Sequence, residues 1–115
     1  DARTLELARP ALRDSELSVK IAAIRALAEY GGEPALALLK ALQNDPGELL
    51  RAAALAGLVQ CGDRTAQEIA LADKSWRVRC ALAEILSKNS NEQNQKLAAT
   101  LLADRSAEVR KAALA

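Results

Sequence analysis

DRSAEVRKAALA, residues 104–115, is the fourth appearance of one phrase. DSELSVKIAAIRAL runs from Asp14 to Leu27, DPGELLRAAALAGL from Asp45 to Leu58, and DKSWRVRCALAEIL from Asp73 to Leu86. In each copy an Asp is followed by a branched aliphatic (Val19, Leu50, Val78, Val109), then a basic residue (Lys20, Arg51, Arg79, Arg110) and, two later, an alanine (Ala22, Ala53, Ala81, Ala112). The steps between the four Asp residues are 31, 28 and 31. A recurrence of this length marks tandem supersecondary units, each too small to bury its own apolar face.

Working outward, the 115 residues are half apolar, with Ala and Leu dominant, no Phe or Met, and Trp76 and Tyr30 as the only aromatics. Ala and Leu are strong helix formers, and residues that favour strands are scarce, so the chain is read as all-helical. Sixteen basic and fifteen acidic residues give a net charge of +1. A protein dedicated to nucleic acid or a membrane surface would carry a basic excess. No apolar run approaches the ~20 residues that span a bilayer, and no signal peptide is visible. Cys61 and Cys80 read as two small buried or half-buried thiols on helices, with pairing in an oxidising compartment as the other reading, and without His they offer no four-ligand zinc site. A cytoplasmic protein without cofactor or metal is expected.

Each unit reads as two helices. Short helices are expected at about 4–12, 34–43, 65–71 and 92–102, and longer ones at 15–30, 46–61, 74–88 and 105–115. The repeated Asp would accept free backbone N–H groups at the start of each long helix. In DPGE, Pro46 suits the first helical position and Glu48 a capping box. Gly31 and Gly62 follow long helices where a left-handed residue ends them, with Asn89 and Ser90 replacing glycine after the third. Val19, Ala22, Ala23, Ala26 and Leu27 form the expected buried stripe. Gly57, in the column of Ala26, reads as a close helix crossing or a hinge. The 28-residue step predicts a shortened third short helix whose face rotates by roughly 60°.

The phrase D-x4-[VL]-[RK]-x-A-A-x-x-A-L, preceded by a Leu-rich short helix, resembles the HEAT-like repeats of the armadillo-type α-solenoids. The resemblance covers essentially the whole chain, with units at about 1–31, 32–62, 63–90 and an incomplete 91–115. Leu82 and Ile85 depart from the pattern in the third copy, and Leu50 in the second. The resemblance implies a right-handed αα superhelix whose second helices line the concave surface. It also implies protein or peptide recognition as the default activity. Related arrays act as accessory factors, attach chromophores or handle DNA, so a nucleic-acid-binding solenoid and a chromophore-lyase-like accessory protein remain the alternatives.

The concave surface is expected to carry Ile21, Arg25, Ala28, Ala52, Ala56, Val59, Cys80, Glu84 and Ser87, positions that vary between copies while the buried ones do not. Such a mixed face suits a peptide or helix, or is ordinary solvated surface. Lys20, Arg51, Arg79 and Arg110 form a basic column with the same period as Asp14, Asp45, Asp73 and Asp104. The two columns read as a structural ladder, with an anionic ligand as the other reading. Trp76 with Arg77 is either an edge anchor for a partner or a plug over the shortened helix. Without His the usual neutral-pH acid–base and triad solutions are missing, as are the iron-ligating His–Glu pairs of hydroxylases in this superfamily. A non-catalytic module is therefore expected. The stripe Val109, Ala112, Ala113 continues to the last residues without a polar cap, which is the pattern expected of a portion of a longer array. Self-association through that end is expected.

Overall fold

The computed structural model describes residues 2–89 and 91–115. Among these residues there are eight helices and no strand: α1 (Ala2–Ala11), α2 (Leu17–Tyr30), α3 (Glu33–Leu42), α4 (Glu48–Gln60), α5 (Arg64–Leu71), α6 (Trp76–Lys88), α7 (Glu92–Leu101) and α8 (Ala107–Leu114). Helices α1/α2, α3/α4, α5/α6 and α7/α8 form antiparallel hairpins. The even-numbered inner helices pack in order, α2 on α4, α4 on α6 and α6 on α8. The result is an α-solenoid 40 Å long. One apolar core runs through it, from Ala8 and Ile24 through Leu39, Leu55 and Leu58 to Leu82, Leu101 and Val109.

The repeated Asp acts one step before the helix it was expected to cap. The residues flanking the inner helices are Glu16, Gly47, Ser75 and Ser106, two positions after each Asp. The Asp Oδ1 accepts the backbone N–H of that residue at 2.8 Å in all four copies. This is an Asx turn, which aims the chain into the helix without belonging to it. Pro46 consequently lies outside α4, and Glu48 is its first residue rather than part of a capping box. Gly31 and Gly62 have φ of 69° and 93°, and Gly31 N–H donates to Leu27 O. Asn89 ends α6 at φ −130° without a left-handed residue. Ser90 lies outside the described residues.

The missing three residues of the third step are divided between helix and turn. α5 has eight residues where α1, α3 and α7 have ten, and one further residue is lost from the α5–α6 connection. The expected rotation does not occur. Counted from the helix start, the third and seventh residues are buried in both α3 (Ala35, Leu39) and α5 (Ala66, Ala70), while α7 buries Asn94 and Leu101. The deletion trims the C-terminal end of α5 and leaves its face in place. Gln67 Nε2 donates to Asn94 Oδ1 and Asn94 Nδ2 to Asn89 O, linking the outer helices across this point.

The buried stripe of α2 also differs from expectation: Ala23, Ile24, Leu27 and Ala28 are buried, whereas Val19 and Ala22 are exposed. In a helix this rich in Ala, neighbouring faces differ too little in apolarity for the sequence to set the rotation. Gly57 marks a close crossing. A Cβ there would lie 3.1 Å from Ala28 Cβ and 3.4 Å from a Leu39 methyl, so α4 approaches α2 and α3 where a larger residue must displace a neighbour.

Candidate binding groove and the ladder behind it

Arg51 and Arg79 build the ladder that orients the inner helices. Arg51 donates through Nε and Nη2 to both Asp73 oxygens at 2.8 and 2.9 Å, and through Nη1 to Asp45 O at 3.0 Å. Arg79 repeats this arrangement on Asp104 (2.8 and 3.2 Å) and Asp73 O (2.8 Å). Each guanidinium thus ties the turn of its own hairpin to the turn of the next. The two pairs are separated by 22 and 25 residues, so the three-residue deletion passes without disturbing the contact. Both arginines are buried, at 9% and 3% exposure. A planar guanidinium holds a carboxylate and a carbonyl at once in fixed geometry, whereas an ammonium must hold both from one atom on a flexible stem. That explains the exception: among the described residues Lys20 makes no ion pair with Asp45 or any other carboxylate. Arg110 Nη1 donates to Asp104 O at 2.6 Å, the same pose, and among the described residues its guanidinium makes no ion pair.

Burial alone would raise the Asp73 and Asp104 carboxyls. The guanidinium of the preceding hairpin and the N–H of Ser75 or Ser106 outweigh it, and both carboxyls sit below the usual carboxylate range. A carboxylate whose folded value is depressed contributes its full stabilisation above the unfolded value, near about pH 4, and loses it as pH falls through the folded value. Urea midpoints are therefore expected to hold above about pH 5 and to drop steeply below about pH 4. Asp73→Asn with Asp104→Asn should be less stable at neutral pH and flatter across the acid range.

A second link joins α4 to α6. Ser75 Oγ donates to Glu48 Oε2 at 2.9 Å, and Arg77 Nη1 donates to Glu48 Oε1 at 2.8 Å. The Arg77 guanidinium also lies over the Trp76 ring, 4.4 Å from its centroid. Sequence reading missed this clasp. Its signal was available: Glu48 lies 27 residues from Ser75 and 29 from Arg77, either side of the 28-residue step that brings equivalent positions together.

In front of the ladder lies a groove of about 540 Å³ across α2, α4 and α6. Ile21, Ala28, Ala52, Ala53, Ala56, Gly57, Ala81 and Ile85 make its floor, with Arg25, Glu29, Glu84 and Lys88 at its margins. It continues past Leu49, Ala52, Ala81 and Glu84 into a second depression against α8, where Trp76, Arg77, Cys80, Glu108 and Lys111 stand. Trp76 therefore borders this second depression and is 38% exposed. Of the residues assigned to the concave face, Ile21, Arg25, Ala28, Ala52, Ala56 and Glu84 line the first groove and Cys80 the second. Val59 does not: it is buried in the core at the last turn of α4, where the chain folds back into α5. Ser87 is exposed outside both depressions, its hydroxyl donating to Glu84 O.

Both cysteines are free, and burial pushes both thiols up, with Glu84, Glu108 and Asp104 adding to the effect at Cys80. Neither is a ready thiolate at neutral pH. Among the described residues no group of three or more acidic, Cys or His side chains could hold a metal. None of the described helices is long and apolar enough to cross a membrane.

The family model for HEAT repeats matches residues 1–59. The chain belongs to the HEAT-repeat family. The match covers α1 to α3 and all but the last residue of α4; the turns before α6 and α8 repeat the Asx turn and the arginine pose of α4. HEAT repeats are characteristically interaction scaffolds rather than catalysts. No curated protein matches this chain.

Proposed function

We propose that this HEAT array is a non-catalytic recognition module that binds an amphipathic helical peptide along its inner groove. The observation that carries the reading is the groove itself: an apolar floor of small side chains with charges of both signs at its margins. Three inner-helix spacings of about 9 Å give a track of roughly 27 Å, the length of a helix of about 18 residues. A floor of Ala and Gly admits a helix closely, and apolar anchors on one face of that helix would fill it. The marginal residues Arg25, Arg77, Lys88 and Lys111 are offset by Glu29, Glu84 and Glu108. A polyanion gains little from such a balanced rim, which favours a peptide over nucleic acid. Arg51 and Arg79 of the basic column are held by Asp73 and Asp104 and do not face a ligand.

Selection from a displayed library of random 20-residue peptides tests the reading. The expected outcome is enrichment of sequences with apolar residues at i, i+3, i+4 and i+7, binding at micromolar strength or better. Enrichment of extended or uniformly charged peptides, or salt-sensitive binding of duplex DNA in their place, would contradict it.

A further inference from the structure

The charges at the groove margins are ordered. Arg25 and Glu29 stand one turn apart on α2, with the cation nearer the start of the helix. Glu84 and Lys88 hold the same two positions of the repeat on α6, with the anion nearer the start. On α4, between them, those positions carry Ala56 and the uncharged Gln60. All four charged side chains are exposed. Their i, i+4 spacing would let each pair close on itself. Among the described residues, however, none of the four makes an ion pair. The groove thus presents a cation and an anion at each end, in opposite order, about a neutral centre.

We infer that this order selects the partner: a helix whose two flanks each change sign once along its length, in opposite senses. The inference rests on the proposed helix in the groove. That helix crosses α2, α4 and α6, so one flank faces their N-terminal halves and the other their C-terminal halves. The first flank must bring an anion to Arg25 and, about 18 Å further on, a cation to Glu84. The second must bring a cation to Glu29 and an anion to Lys88 over the same span. That span is a little over three helical turns, so residues on a single flank reach both ends. A helix with one acidic and one basic flank satisfies two of the four charges and opposes two. The crossed pattern with acidic and basic residues exchanged opposes all four, and such repulsion discriminates as effectively as attraction. The neutral positions on α4 leave the middle of the partner's flanks unconstrained.

Three synthetic helical peptides of about 20 residues test this, all with one composition and one apolar face. Two carry the crossed patterns, related by exchanging acidic and basic residues, and the third carries one acidic and one basic flank. Binding to the chain is read by calorimetry at about 50 mM salt, where screening is modest. The wild type is expected to bind one crossed peptide tightest and the third peptide at least about tenfold more weakly, with the other crossed peptide weaker again. Arg25→Glu with Glu29→Arg keeps the composition and the i, i+4 pair but gives each margin a single sign. In that variant the third peptide should become the tightest, and the two crossed peptides should bind alike. Glu84→Lys with Lys88→Glu should produce the same reversal from the other end, with circular dichroism showing which variants are folded. Three peptides bound alike by the wild type, with Ala56→Glu still abolishing binding, would overturn the charge order and leave the groove reading standing. A ranking unchanged in a folded exchange variant would do the same. If the wild type binds none of the three at about 1 mM, the groove reading falls and this inference with it.

Discussion

Arg79→Ala is expected to destabilise the protein by about 3 to 5 kcal/mol, the cost of breaking a buried ion pair by removing one partner. The Arg79 side chain is almost wholly buried, and its loss strands a carboxylate of similar burial at Asp104. The Asp73 carbonyl loses its donor as well. Thermal unfolding should shift by roughly 10–20 °C for a chain of this size. Arg110→Ala is the internal control. Its pose is the same, but among the described residues it makes no ion pair, and it is exposed, so its effect should stay within about 0.5 kcal/mol. The double variant Arg79→Met, Asp104→Ala should recover much of the loss, because it leaves no charge stranded. Equal effects of Arg79→Ala and Arg110→Ala would mean that the second arginine of the ladder is ordinary surface charge.

Ala56→Glu is expected to abolish peptide binding in the groove while leaving the fold intact. Ala56 sits on the groove floor, in the column that carries Arg25 in α2 and Glu84 in α6. A charged side chain is accommodated at that position in both neighbours, so the helix tolerates it. A bound helix would have to desolvate the new carboxylate without a partner, a cost of several kcal/mol. The expected loss is at least about a hundredfold in affinity, measured by calorimetry with a selected peptide. Circular dichroism and unfolding midpoint should stay close to wild type. Undiminished binding would place the peptide elsewhere on the molecule.

The fold was legible because its determinant is periodic. One phrase in four copies sets the pairing of helices, and its Asp and basic columns align in the sequence itself. The ladder was visible as two columns with one period, but its direction, from each arginine to the following hairpin, was not. Lys20 shows where residue class misleads: its ammonium lacks the rigid fork that Arg51 and Arg79 lay on carbonyl and carboxylate, and among the described residues it makes no ion pair. The rotation of α2 was misjudged because Ala22, Ala23, Ala26 and Ala28 offer nearly the same apolarity on every side. Val59 was assigned to the groove by its column. Position along the helix decides instead: the last turn of α4 faces the chain's return into α5. The Glu48–Ser75–Arg77 clasp escaped because its members sit at three different places in the phrase.

The recognition reading rests on the inner helices forming the contact surface while the ladder and the outer helices serve as its frame. Backbone amide NMR of the labelled chain, titrated with a library-selected peptide, tests this most directly. The expected shifts cluster at Ile21, Arg25, Ala52, Ala56, Ala81 and Glu84, with α1, α3, α5 and α7 little changed. Shifts concentrated on the outer helices, with those six positions unmoved at saturation, would contradict it.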